Sequence, residues 1–115
     1  MHEMSIVQAL IEQVEEEIDR SGQTGRVTRL DLSIGTLSGV HVDSIRFAFE
    51  LLSPGTIVQD AELFIDQPKA HIHCRDCGAT TPISELTMAC PLCGGGDVSI
   101  EGGTDLLLQS IELEQ

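Results

Sequence analysis

Four cysteines stand in two short knuckles, Cys74-Arg75-Asp76-Cys77-Gly78 and Cys90-Pro91-Leu92-Cys93-Gly94, with twelve residues between Cys77 and Cys90. Two thiolates separated by two residues reach one ion from a tight turn, and the glycine behind each pair permits the positive φ that turns backbone amides toward the sulfurs. Four soft donors suit a structural Zn²⁺, with Zn–S bonds of about 2.3 Å and no open position. Paired disulfides or a thioredoxin-like redox pair are weaker readings, because no secretory signal leads the chain and a single Cys-x-x-Cys would serve redox work. Iron in a rubredoxin-like site competes more closely. Such sites usually sit behind aromatic side chains, whereas this chain has no Trp or Tyr, and its three phenylalanines, Phe47, Phe49 and Phe64, precede the cysteine segment.

A second constellation is Met1-His2-Glu3. If the initiator methionine is retained, its amine, the backbone nitrogen of His2 and the His2 imidazole form fused chelate rings on one ion, and the amide of Glu3 is near enough to offer a further nitrogen. A planar set of nitrogens suits Ni²⁺ or Cu²⁺, whose d-electron counts favour square-planar or tetragonal geometry, while Zn²⁺ has no such preference. A helix dipole beginning here would oppose a bare cation, but deprotonated amide ligands bring the complex near neutrality. The terminal amine, with a reference pKa of about 7.7 to 8.0, must lose its proton, so uptake depends on pH. Such an open chelate suits capture and release more than catalysis.

His71 and His73 precede Cys74 on an extended segment, so their side chains face the same way. A solvent-facing pair is the ordinary reading, and membership of either metal site is the alternative. His41 has no partner legible in the sequence. Glu15, Glu16 and Glu17 fall off the apolar stripe of their helix and read as a solvated face. No phosphate loop, nucleophile elbow or Ser/His/Asp ordering is present, which favours a carrier over an enzyme.

The elements that must position these groups follow from periodicity. Met4, Val7, Leu10, Ile11, Val14 and Ile18 recur at helical spacing from about residue 3 to the stop at Ser21-Gly22. Thr28, Leu30, Leu32 and Ile34 alternate with polar residues as a half-buried strand ending at Gly35. Asp43 is the expected N-cap of a second helix with Ile45, Ala48, Phe49 and Leu52 inward, ended by Ser53-Pro54-Gly55. A strand is expected over 57–66, with Phe64 breaking its polar face. After Gln67-Pro68-Lys69 the chain enters the cysteine segment, leaves it through Gly94-Gly95-Gly96 and Gly102-Gly103, and closes with an apolar strand over 105–114 that needs cover.

The expected architecture is therefore α/β in the α+β sense: a small mixed three-stranded sheet with two helices, plus an inserted zinc-ribbon-like domain. Residues 1–69 form the first domain, completed by a strand within 102–115, and residues 70–101 form the metal-binding insertion. At 115 residues the chain has room for one modest core, and the insertion is too short to fold without its ion.

The net charge of −13 argues against a nucleic-acid partner, since that affinity comes largely from Lys and Arg on phosphates. Within the cysteine segment Arg75 is the one basic residue, set against Asp76, Glu85, Asp97 and Glu101, with no aromatic platform for bases. No apolar run reaches membrane-spanning length and the N-terminus does not read as a signal peptide, so a cytoplasmic location is the expectation.

Met1-His2-Glu3-Met4-Ser5-Ile6, Leu32-Ser33-Ile34-Gly35, the two cysteine knuckles and the closing Ile111-Glu112-Leu113 together resemble the HypA/HybF family of hydrogenase maturation proteins. The resemblance spans nearly the whole chain and lies in the order and spacing of these pieces. It implies a nickel metallochaperone that is not itself an enzyme, working with the GTPase HypB to deliver Ni(II) to the large subunit of [NiFe]-hydrogenase. By the same resemblance nickel falls on Met1, His2 and Glu3, and structural Zn(II) on Cys74, Cys77, Cys90 and Cys93. Two other classes stand beside it: a zinc-ribbon adaptor, disfavoured by the acidic segment, and a rubredoxin-like electron carrier, which would be coloured.

Overall fold

The computed structural model describes residues 3 to 115. Met1 and His2, two of the expected nickel ligands, lie outside the described residues. Helix α1 runs Glu3–Ser21, strand β1 Arg26–Ile34, helix α2 Val42–Leu52 and strand β2 Glu62–Asp66; then come β3 Ala70–Cys74, β4 Thr80–Ile83, β5 Val98–Glu101 and β6 Leu106–Glu114. The strands make two three-stranded sheets, of order β2-β1-β6 and β4-β3-β5. This is the expected α+β class. Among the described residues no helix is long and apolar enough to cross a membrane.

The chain divides into two compact units. One takes in the residues up to Leu32, Val40–Ile65 and Leu107–Gln115; the other takes in Ser33–Gly39 and Asp66–Leu106.

In the first unit α1 packs on α2. The apolar stripe of α1 buries Val7, Leu10, Ile11, Val14 and Ile18. The helix stops where the Ser21 hydroxyl donates to the Ile18 carbonyl at 2.9 Å and Gly22 takes φ 69°, the left-handed step that suits a glycine. β1 buries Leu30, Leu32 and Ile34 as its alternation requires, but Val27 is buried in place of Thr28, whose hydroxyl donates to the Glu112 carbonyl on β6. Arg26 pairs with Glu114, and Asp31 accepts from Ser110 at 2.6 Å. Numbers fall on β6 as they rise on β1, so that pair is antiparallel.

Three local expectations change. The N-cap of α2 is His41, in an extended conformation with no side-chain cap bond, because the helix begins at Val42 and takes Asp43 into its first turn. The chain over 57–60 turns instead of extending, burying Val58, and β2 begins only at Glu62. Phe64 is exposed on β2 with the Arg29 guanidinium 3.7 Å from its ring centre, a cation–π contact that explains an aromatic on the polar face. The closing strand β6 lies at a sheet edge with its leucines half-buried and Leu107 exposed.

The second unit has a small core of Ala70, Ile72 and Ile83, with Leu37, Val98 and Ile100 packed against it. β3 is its central strand, antiparallel to β4 and β5. Ser33–Gly39 belongs here through backbone bonds from Gly35 to Asp105, Thr36 to Pro68 and Leu37 to Gly103, of 2.8, 3.1 and 2.7 Å. A Cβ on Gly35 would collide with the Gly103 backbone, so this approach requires glycine.

Candidate metal centre

The two knuckles are built alike. In the first, the Gly78 amide donates to the Cys74 carbonyl at 2.9 Å and the Cys74 amide to the Ala79 carbonyl at 3.0 Å. In the second, the Gly94 amide donates to the Cys90 carbonyl at 2.9 Å and the Cys90 amide to the Gly95 carbonyl at 2.8 Å. Gly78 and Gly94 take φ 77° and 76°, where a side chain would be strained. The first cysteine of each pair is buried and the second exposed.

The four sulfurs lie within 4.8 Å of one another. Cys74 approaches Cys93 at 3.6 Å and Cys77 approaches Cys90 at 3.7 Å, so each close pair joins one knuckle to the other. A tetrahedron with metal–sulfur bonds of about 2.3 Å has edges of about 3.8 Å, so the donor set fits Zn²⁺ in size as well as in softness. Amides face the sulfurs: Leu92 donates to Cys90 at 3.4 Å and Gly95 to Cys93 at 3.3 Å. Arg75 pairs with Asp97 at 2.7 Å, and its amide donates to the Asp97 carbonyl at 2.9 Å, tying the first knuckle to the entry of β5.

Crowding four thiols sets their acidities apart. The amides of Cys93 and Leu92 hold the Cys90 thiol down to about 7. At Cys93 the Gly95 amide favours the thiolate, but the Cys74 sulfur, burial and the remaining thiols outweigh it and push the group up to about 12. Cys77 is raised too: the Ala79 backbone bond lowers it, and burial with the neighbouring thiols prevails. A dication that takes four thiolates must displace the protons that the raised Cys77 and Cys93 thiols hold.

His71 and His73 do not join this sulfur group. They occupy the exposed face of β3, and His73 Nδ1 lies 3.0 Å from the Thr80 hydroxyl. His41 is exposed at the start of α2. Of the expected nickel ligands only Glu3 is described, half-buried at the start of α1.

Glu3 also lines a groove of about 640 Å³ with Met4, Asp43, Ser44, Phe47 and Leu51. Apolar periodicity alone does not reveal this groove. Met4 counted as part of the inward stripe but is 44% exposed, and Phe47 and Leu51, four apart on α2, are 62% and 54% exposed. Their helical spacing was the available signal, hidden beside the stronger inward stripe of Ile45, Ala48 and Phe49.

A family model described as "Hydrogenase/urease nickel incorporation, metallochaperone, hypA" matches residues 1–113. The chain is 41% identical over 114 residues to the hydrogenase maturation factor HypA of Aquifex aeolicus, covering 99% of this chain and 98% of that protein. It is 38% identical over 114 residues to its counterpart in Chlorobaculum tepidum, covering 99% of this chain and 100% of that one. The solution structure of the Ni metallochaperone HypA from Helicobacter pylori superposes with a TM-score of 0.67 at 30% identity, covering 98% of this chain and 97% of that one.

Proposed function

Given that the chain belongs to the HypA family of nickel metallochaperones, maturation factors of hydrogenase and not enzymes, we propose that it binds Ni(II) at its first three residues and helps insert it into the large subunit of [NiFe]-hydrogenase. Nickel is the cargo. Met1 contributes its amine, His2 its amide and imidazole, and Glu3 its amide, with the Glu3 carboxylate free to orient the imidazole. The observation that carries this reading is that the family match begins at residue 1, on Met1-His2-Glu3. The position of Glu3 as the first residue of α1 supports it, since the amides of a helix's first turn have no intrahelical acceptor.

The second ion is structural Zn²⁺ on Cys74, Cys77, Cys90 and Cys93. It supplies fold and no chemistry to the cargo, because a closed tetrahedral thiolate set leaves no position for transfer. HypB supplies GTP hydrolysis in this scheme, consistent with the lack of a phosphate loop in this chain, and the work takes place in the cytoplasm.

His2→Ala tests the reading. Calorimetry on the untagged protein, with intact mass confirming Met1, is expected to show tight Ni²⁺ binding abolished while helicity and zinc content stay unchanged. Undiminished nickel affinity in the variant would remove the terminal site.

A further inference from the structure

We propose that His71, His73 and Glu101 form a second, weaker site for a divalent transition ion on the exposed face of the β4-β3-β5 sheet. Burial along β3 alternates strictly, with Ala70, Ile72 and Cys74 inward and His71 and His73 outward. Residues i and i+2 of a strand project from the same face about 7 Å apart, within reach of one ion between two imidazoles. Glu101 is the direct partner of His71 on β5 and is itself exposed. Directly opposed residues of an antiparallel pair share a face, with Cβ atoms about 5 Å apart.

A neighbouring strand also holds one of the rings. His73 Nδ1 is engaged by the Thr80 hydroxyl at 3.0 Å, and Thr80 is its partner on β4. In the tautomer whose Nδ1–H donates to that hydroxyl, the lone pair is left on Nε2; bound imidazoles are commonly oriented through their other nitrogen in this way. Arg75, one of the two cations flanking β3, is paired with Asp97; the other, Lys69, adds to the reasons the site is the weaker one.

Two imidazoles and a carboxylate, completed by water, are the donor set of Ni²⁺ and its neighbours in the first transition row. The ligating atoms are not gathered in advance as the four sulfurs are. The site closes by rotation of exposed side chains around the ion, and that loss of rotamer freedom makes it the weaker one. It involves neither the sulfur cage nor the chain terminus.

The test uses the full-length, zinc-loaded His2→Ala protein and NiCl₂, followed by NMR of the histidine rings and by calorimetry. Sub-stoichiometric nickel is expected to broaden the ring signals of His71 and His73 while those of His41 stay sharp. Adding His71→Ala and His73→Ala together should weaken the remaining affinity about tenfold or more, and Glu101→Gln should weaken it by a smaller factor, with zinc content unchanged in each. Sharp His71 and His73 signals in excess nickel, equal broadening at His41, or unchanged affinity in the double variant would overturn the site. Tight nickel uptake by the wild-type terminus is independent of that result: its survival would leave the terminal reading standing while this site falls.

Discussion

The two units of this chain solve the same problem by different means. The first buries a conventional core, with Val7, Val14, Val27, Leu30, Ile45 and Val58 almost wholly removed from water, and two helices to cover a sheet. The second gathers a smaller apolar cluster of Ala70, Ile72 and Ile83 beside the buried Cys74 and Cys90, and its two knuckles approach through sulfurs 3.6 and 3.7 Å apart. Apolar burial scales with size, so a unit this small must draw folding free energy from elsewhere, and a dication held by the four thiolates would supply it. The lesson is that a thiolate site can be structural because the sequence around it has no other way to fold.

That contrast is easiest to break at the cysteines. Cys90→Ser, or removal of zinc by a chelator, is expected to abolish the fold of the second unit, with fast hydrogen exchange across 66–106 and protection retained in α1 and α2. Simultaneous loss of protection in both helices would mean the units do not fold separately. In the first unit, Leu30→Ala removes a wholly buried side chain from β1 and should cost about 2–5 kcal/mol in denaturant unfolding, with zinc content unchanged. A cost below that range would place the core elsewhere. Gly35→Ala forces a Cβ into the Gly103 backbone and should destabilise by about 1–3 kcal/mol, read as a lowered thermal midpoint. Neutral behaviour there would show that the glycine approach yields freely.

The smallest effect concerns Asp31, whose carboxyl is held below the usual range by hydrogen bonds from Arg29 and then from Ser110. A carboxyl with a depressed folded-state pKa stabilises the fold above its unfolded value of about 3.9, and this contribution is lost as pH falls through the folded value. Asp31→Asn should therefore flatten the acid limb of the stability profile in that window. An unchanged limb would assign it to other carboxylates.

Much of this was legible in the sequence because it rests on local periodicity. The stripe of α1, the inner face of α2 and the pairing of Cys-x-x-Cys-Gly knuckles need no knowledge of distant residues. What escaped depends on tertiary contacts. Ser33–Gly39 joins the second unit because Leu37 packs on its core and Gly35 meets Gly103, sixty-eight positions later. Val58 is buried from a turn that alternation reads as strand, and Arg29 covers Phe64 from a neighbouring strand. Phe47 and Leu51 face a groove, where a helical wheel sees only further apolar residues. The grouping of the four cysteines was readable from their spacing; the histidines of β3 were placed on one face, but their cross-strand partner Glu101 needs the register to be seen.

The division of labour between the metals can be tested most directly by nickel X-ray absorption on untagged, zinc-loaded protein carrying one equivalent of Ni²⁺. A planar shell of four nitrogen donors without sulfur is expected, disrupted when a single residue other than histidine is added before Met1. Nickel–sulfur scattering, with the spectrum indifferent to that extension, would contradict it.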